Sequence, residues 1–466
     1  MNSTKFYIDQ HGCAKNQTDG EILITYLTQA GFVHTLNADE ADFIIVNSCG
    51  FINFAKKESI DAIYSIKANY PDARIILAGC LAERYSQMLY DSMPELDGIF
   101  GNGDLSKIVD FMKQLEQEKR VVKTYEQTGV CYASRSVLYN FKGSAFVKIT
   151  EGCSNHCSFC AIPLIRGEVR SRSIKDVIEE IKELLVQGVY EINLIGQDLA
   201  VFEEGLANLL REISKLEGDF IVRPLYIHPD HFTLDIAEVI SSDKRFVPYF
   251  DIPFQSGDDG IIKAMNRTGS FEQYVKLISD IRKILPDFVL RTTFLAGFPG
   301  ESEKAAENTR TFLRTIEPLW SGCFPYSREE DTPAYNMKPR VPAKTAQKRA
   351  AILEEIQSEI TEKQLKKYIG QEVKVLVEEV IPADPGTVED TSEGLAIGRA
   401  WFQAPEVDGC VVIRFDSDSK SQTDSVKCGN IIKVKILNVT GVDLDARYVS
   451  LEKKFTAESK VQFINQ

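Results

Sequence analysis

No apolar run in this chain approaches the length of a membrane span. With 44% hydrophobic content over 466 residues, a soluble globular protein is expected. The start, MNSTKFYID, lacks the charged and apolar regions of a secretory signal, so the cytoplasm is the expected compartment. Positive charge is also short. The formal net charge of -14 does not suit a general nucleic-acid binder, which has to neutralise phosphates. Internal repeats and low-complexity tracts are absent too. Cysteine, however, is present. Ten Cys without export argue against a disulfide framework and for reduced thiols available to metal.

The densest group is CSNHCSFC, which sets Cys153, Cys157 and Cys160 at the spacing C-x3-C-x2-C. A zinc site is normally closed by four ligands or keeps three and a water. His156 is the obvious local fourth ligand, but beside Cys157 it would have to fold back across the site. An iron–sulfur cluster on three Cys, with one iron left open, fits the count better.

Length suggests about three domains. Over residues 1–125, KFYID, DFIIVNSC and RIILAGC alternate with helical stretches, which reads as a small parallel α/β sheet. A connector around 121–143 carries Cys131. From 144 to 342 six strand candidates recur: AFVKIT, YEINLIG, IVRPLYIH, FVPYFDIP, FVLRTTFLAGF and WSGCFPY. They imply an incomplete βα barrel, whose active site gathers at the carboxyl ends of its strands. CSNHCSFC follows AFVKIT directly and lies at that end. Residues 343–370 read as a helical connector. Residues 371–455 turn to short alternating strands, a small all-β barrel of about five strands. The fold class is therefore α/β, with a partial (β/α)6 barrel between an α/β domain and a β-barrel.

Cys13, Cys49 and Cys80 each lie at or just beyond the carboxyl end of a strand in the first domain, in HGCAKN, NSCGF and AGCLA. A single buried Cys is usually only packing. In an open parallel sheet, however, these ends share one edge. Three thiols at that edge point to a second cluster, again with three protein ligands. Cys131, Cys323, Cys410 and Cys428 lack comparable partners and read as structural.

Two three-Cys groups, a partial βα barrel and a terminal β-barrel resemble the radical S-adenosylmethionine (SAM) methylthiotransferase family over essentially the whole length. TEGCSNHCSFCAIPLIRG, DIPFQSGDDGIIKAM, AGFPGES and PYSREEDTPAY resemble its landmarks, and 371–455 resembles its terminal TRAM barrel. The resemblance implies insertion of sulfur and a methyl group at an unactivated C–H bond. No side-chain acid or base removes such a hydrogen, so the cofactor has to supply a radical. It implies one 4Fe–4S cluster on Cys153, Cys157 and Cys160 that cleaves SAM. It also implies an auxiliary 4Fe–4S cluster on Cys13, Cys49 and Cys80 that carries the sulfur.

Within that frame Phe159 would pack near the adenine of SAM. Gln197 and Asp198, ending the second barrel strand, and Gln255, after the fourth, would reach SAM polar groups. Arg291, on the fifth, would meet a carboxylate. Each residue has a plainer reading as packing or as a barrel-mouth hydrogen bond. His228 and His231 look like a metal pair but read as solvated loop histidines.

CGFINFAKKESI, RGEVRSRSI, LRTTFLAGFPGES and GRAWFQAPEVDG resemble the ribosomal-protein branch (RimO-type). The substrate implied is small-subunit protein S12, modified at an aspartate β-carbon, with an electron donor and a sulfur source as further partners. QSGDDG and MNR look more like the RNA branch (MiaB-type), so transfer RNA is the alternative substrate. Between 371 and 455 there are fifteen acidic and ten basic residues, a balance that repels phosphate and complements a basic protein. QAPEVDG reads as an exposed turn whose Glu406 and Asp408 belong to that acidic surface. A non-catalytic iron–sulfur scaffold or carrier is a second alternative. It explains six Cys but not six βα units.

Overall fold

The computed structural model describes residues 4–381, 393–457 and 461–464. The first domain is a parallel sheet of β1 (Lys5–Gln10), β2 (Val33–His34), β3 (Phe43–Ser48), β4 (Arg74–Gly79), β5 (Gly98–Phe100) and β6 (Val121–Lys123). Four helices connect them: α1 (Ala14–Gln29), α2 (Asn53–Asn69), α3 (Cys80–Ser92) and α4 (Ile108–Gln117). The strand order β2-β1-β3-β4-β5-β6 sets the carboxyl ends of β1, β3 and β4 side by side. β3 is buried at every position because helices cover both faces of a parallel sheet.

Helix α1 is unusual in burying polar residues: Asn16, Gln17, Thr18, Asp19, Glu21 and Thr25 are all inside. Its polar face meets the second domain rather than water. Asp19 pairs with Lys148 and, at 3.0 Å, with Arg166, while Glu21 pairs with Arg135. Buried charges need such partners, so the polarity of this helix records a domain boundary.

A two-residue strand, β7 (Val137–Leu138), leads into the second domain. There β8 (Ser144–Lys148) runs on into β9 (Thr150–Glu151), and α5 (Ile162–Arg166) precedes β10 (Arg170–Ser171), which pairs back antiparallel on β9. Then follow α6 (Ile174–Val186), β11 (Glu191–Ile195), α7 (Leu206–Ile213), β12 (Ile221–Pro224), α8 (Leu234–Ser242) and β13 (Tyr249–Asp251). The domain closes with α9 (Asp259–Ala264), α10 (Phe271–Ile284), β14 (Val289–Ala296), α11 (Glu303–Ile316) and β15 (Trp320–Pro325). β8, β11 and β12 pair in parallel, as do β13, β14 and β15. A parallel bridge between Val222 and Phe246 joins the two sets. All six strands expected from the sequence are therefore present, in a curved sheet that does not close on itself among the described residues.

The polar stretch expected as a connector forms α12 (Ala343–Leu365), and it is packed rather than free. Ala350, Leu353, Ile356 and Ile360 join the barrel core, and the Gln357 amide donates to the Pro318 carbonyl at 3.0 Å. Beyond it β16 (Glu372–Ile381), β17 (Glu393–Ala400), β18 (Val411–Asp416), α13 (Lys420–Ser425), β19 (Ile431–Thr440) and β20 (Asp443–Lys453) complete the third domain. The strands close as β16-β17-β18-β20-β19. A last strand, β21 (Gln462–Phe463), pairs with β7.

This small barrel docks on the amino ends of the βα strands, opposite the cysteines. Glu191, first in β11, pairs with Arg399 at 2.7 Å and with Arg223 at 2.9 Å. The Trp320 indole donates to the Phe402 carbonyl at 2.6 Å. The turn expected to be exposed is only half so. Glu406 is exposed, but the Asp408 side chain is fully buried, accepting from Tyr249 Oη and from the Ala404 N–H, both at 2.7 Å. Docking covers it, and a lysine there would set a second cation against Arg291. Asp384, Glu389 and Asp390, part of the acidic balance of this domain, lie outside the described residues.

Candidate active site

Cys13 is the N-cap of α1, Cys49 follows the last residue of β3, and Cys80 opens α3 directly after β4. Three adjacent strand ends thus deliver three thiols to one edge. The loops approach closely where glycine permits it. Gly79 takes φ +87°, and a Cβ there would lie 2.6 Å from the Ser48 carbonyl oxygen. At Gly12 a Cβ would lie 3.1 Å from that of Cys49.

The thiols feel each other and two cations. Burial, then the neighbouring Cys80, pushes Cys49 up to about 12. Burial also raises Cys80, against the Arg166 guanidinium. Cys13 is the exposed member of the trio, and against desolvation the Lys15 and Arg166 cations, with the backbone N–H groups of Asn16 and Lys15, hold its thiol below its usual value. Arg166 reaches this edge from the other domain. Its guanidinium donates to Cys80 Sγ at 3.2 Å and also to Asn16 Oδ1.

The second trio lies on the loop between β9 and α5. Gly152, at φ +76°, opens the turn, since a Cβ there would lie 2.1 Å from the Glu168 carbonyl oxygen. The loop is pinned at both flanks. Cys153 N–H donates to the Gly167 carbonyl at 3.0 Å, and Ser158 N–H to that of Met265 at 3.0 Å. Burial pushes Cys153 up to about 11 and Cys160 to about 12, and Cys157 adds to both. The three thiols lie close enough along this loop to raise one another as thiolates. His156 does not fold back over them. It points outward, 60% exposed and 3.7 Å from Glu168. Each trio therefore offers three thiols that repel one another as thiolates, and no fourth thiol joins either set among the described residues; the nearest imidazole, His228, lies with Nε2 3.8 Å from Cys157 Sγ. That donor set fits a 4Fe–4S cluster with one iron left open, whose binding would release the thiol protons.

The mouth residues expected from the sequence fall into different places. Asp198 is buried and committed to the protein. Its carboxylate accepts from Asn155 Nδ2 at 3.1 Å, from His228 N–H at 3.1 Å and from His231 Nδ1 at 2.7 Å. His228, expected to be solvated, is instead buried with Nε2 3.8 Å from Cys157 Sγ, and burial lowers its pKa to about 3. With Asp198, the two histidines gather ligand atoms within 4.8 Å of one another, which the solvated-loop reading of this pair did not expect.

Gln197 donates to Glu151 Oε1 at 3.1 Å, while its own Oε1 is buried without a partner. Gln255 Oε1 is likewise buried and unpartnered, on a backbone at φ +69°. Phe159 packs against the apolar cluster of Ile261, Met265 and Phe298. Arg291 meets carboxylates, but they are the protein's own: Asp251 at 3.0 Å and Asp408 at 3.4 Å.

Between the trios runs a buried ionic chain that sequence reasoning missed. Arg166 pairs with Asp19 at 3.0 Å and with Glu151 at 2.8 Å, and Glu151 pairs with Lys148 at 2.5 Å. Burial opposes charge on Glu151, yet Arg166 and Lys148 hold its carboxyl well below the usual range. Two cations balance two carboxylates, so the domains are locked together beside the thiols.

Three family models match the chain: an uncharacterised family, UPF0004, over residues 5–101, the radical SAM superfamily over 147–313, and the TRAM domain over 369–449. A "Ribosomal protein uS12 methylthiotransferase RimO" of Treponema denticola is 50% identical over 470 residues, covering 94% of this chain and 99% of that protein. The protein of the same description from Aquifex aeolicus is 37% identical, covering 94% and 95%. Among solved structures, the radical SAM methyltransferase TsrM of Kitasatospora setae aligns with TM-score 0.53 at 15% identity, over 72% of this chain and 75% of that one. This last likeness concerns the fold alone.

Proposed function

The chain belongs to the RimO family of ribosomal protein uS12 methylthiotransferases, radical SAM enzymes, and from that premise we propose that it methylthiolates the β-carbon of an aspartate in small-subunit protein S12. The observation that supports this reading is that Arg166, on the helix following the C-x3-C-x2-C loop, donates to Cys80 of the other trio across the domain boundary. We assign one 4Fe–4S cluster to Cys153, Cys157 and Cys160 and an auxiliary one to Cys13, Cys49 and Cys80. When bound, these clusters supply the electron that cleaves SAM and hold the sulfur to be transferred.

The chain's own residues position and shield. Asp198 fixes Asn155 of the cysteine loop and the backbone of His228 together, so the loop and the mouth of the barrel move as one. Gln197 and Gln255 present buried carbonyl oxygens that lack a donor, and the amino group or ribose hydroxyls of SAM are suitable donors. Phe159 gives an apolar wall. Glu329 accepts from Lys56 at 2.7 Å and from Arg84 at 2.9 Å, binding a loop of the barrel to helices α2 and α3 of the first domain. A closed rim keeps water from a reactive centre. The acidic third domain suits a basic ribosomal protein better than RNA.

The test is direct. Reconstituted protein with SAM, sulfide and a strong reductant should add a methylthio group to S12, read by mass spectrometry of the target peptide, and not to transfer RNA. Modified RNA with unmodified S12 would overturn the substrate. Absence of SAM cleavage would leave the scaffold reading. An electron donor and a sulfur source are partners that this reaction requires.

A further inference from the structure

Charge at the domain boundary is almost wholly paired. Lys148 and Arg166 face Asp19 and Glu151 in close contacts. Lys15 differs. Its side chain is half-buried on the first turn of α1, two residues beyond Cys13, and no carboxylate among the described residues lies within ion-pairing distance of it. Its ammonium has only the Gly196 carbonyl at 3.2 Å and the Tyr226 ring, 3.9 Å from the centroid. A ring face and one carbonyl partly satisfy a cation but leave it uncompensated.

Its location is informative. On one side, Lys15 sits in the first turn of the helix that Cys13 caps. On the other it touches Gly196, which directly follows β11, and two residues later Asp198 holds Asn155 of the C-x3-C-x2-C loop. Gln197, between them, carries the unpartnered buried oxygen. The ammonium therefore links the Cys13 edge of the first domain to the carboxyl end of β11, at the barrel mouth.

We propose that Lys15 receives the carboxylate of the substrate aspartate and so determines which residue is modified. The inference rests on the function proposed above and adds the group that recognises the target. The carboxylate is bonded to the β-carbon itself, so gripping it places the reacting C–H one bond away, beside Cys13 and open toward the SAM side. Positioning of this kind supplies much of the rate advantage of a bound reactant. A carboxamide of the same shape would forgo the charge-assisted bond. The other carboxylate that could enter is that of SAM, and the experiment separates the two.

Full-length reconstituted enzyme is titrated anaerobically with two peptides of the S12 target loop, one carrying Asp and one Asn at the modified position, and separately with SAM. The wild type should prefer the Asp peptide by about tenfold or more, the worth of a hydrogen bond to a charged group. Lys15→Met should bind the two peptides equally, and Lys15→Arg should keep the preference. Lys15→Gln serves if the Met variant fails to load iron, and it too should lose the preference. A preference that survives in Lys15→Met or Lys15→Gln overturns the assignment alone. A loss of SAM affinity with the peptide preference intact also overturns it, in favour of the SAM carboxylate. Failure of the wild type to bind either peptide overturns the ribosomal-protein reading and, with it, this role.

Discussion

The guanidinium of Arg166 donates to the thiol of Cys80 at 3.2 Å, although the two residues belong to different domains and are 86 positions apart. Arg166 ends the helix that follows the C-x3-C-x2-C loop, while Cys80 opens a helix of the first domain. One side chain thus touches the ligand set of one trio and is fixed in sequence to the other. A donor to a metal-bound thiolate stabilises the more reduced state by drawing charge from sulfur.

Arg166→Met should therefore lower the reduction potential of the first-domain cluster. The measurement uses protein in which Cys153, Cys157 and Cys160 are Ala, so that only this cluster titrates. A shift of some tens of millivolts is expected, about 60 mV for each 1.4 kcal/mol lost. Asp19 and Glu151 would also lose a buried partner, at a cost of about 3–5 kcal/mol, so the variant should be less stable. Arg166→Lys should recover part of both. An unchanged potential in a loaded Arg166→Met protein would remove Arg166 from any role in tuning the cluster.

The two trios should separate functionally. Cys157→Ala is expected to abolish SAM cleavage and to reduce iron by about half, towards one 4Fe–4S cluster, because the other trio lies in its own domain. Cys49→Ala should keep reductive SAM cleavage but yield no methylthiolated product. Deoxyadenosine at the normal rate from Cys157→Ala, or methylthiolated product from Cys49→Ala, would exchange or dissolve these assignments.

Asp408 gives a pH signature at the junction of the barrels. Burial pushes its carboxyl up to about 6, against the pull of Arg291. The folded state thus binds this proton more tightly than the unfolded one. The stability contribution is full below the ordinary carboxylate value and is lost as pH rises through about 6. Relative to Asp408→Asn, the wild type should lose about 1 kcal/mol between pH 5 and 7. The only two tryptophans, Trp320 and Trp401, lie at this junction, so denaturation followed by intrinsic fluorescence reports it. A stability difference that is flat with pH would mean that the carboxyl stays charged throughout.

The same residues show where sequence is readable and where it is not. Both trios could be located because a thiol at a strand end needs only the strand order to be placed, and short apolar runs mark the strands. The six barrel strands followed from the same runs, whereas β2, β5 and β6 of the first domain, two or three residues long, leave no such run. Asp408 was misplaced as exposed because QAPEVDG is turn-like in isolation, and burial comes from Tyr249 and Arg291 on a separate domain. Arg166, Lys148 and Lys15 are ordinary basic residues in the sequence. Their importance depends on partners brought together by domain packing, which no local pattern encodes. His228 was undervalued for the same reason, since its burial beside Cys157 is set by Asp198.

The rim beside Cys49 carries the last prediction. Gly50 to Lys56 is held from behind: the Gly50 carbonyl accepts from Arg84 at 3.1 Å, and Lys56 reaches Glu329 at 2.7 Å. Yet Phe54 is 77% exposed, and Phe51 and Ile52 are each 36% exposed. A fixed backbone that offers clustered apolar side chains to water is the usual form of a docking surface. Glu330 and Asp331, exposed on the barrel loop that Arg84 also grips, add negative charge at this rim. Together they suit a basic protein segment with an apolar anchor. Phe54→Ser should therefore raise KM for S12 by roughly tenfold or more, as loss of a central aromatic anchor does, with kcat changed much less. Iron content should match the wild type, since most of the Phe54 side chain faces solvent. Glu330→Lys should act differently, slowing capture most at low salt and converging on the wild type as salt rises. If Phe54→Ser left KM unaltered while Glu330→Lys raised it at all salt concentrations, the protein substrate would enter across the barrel loop alone, and the apolar rim would have no part in holding it.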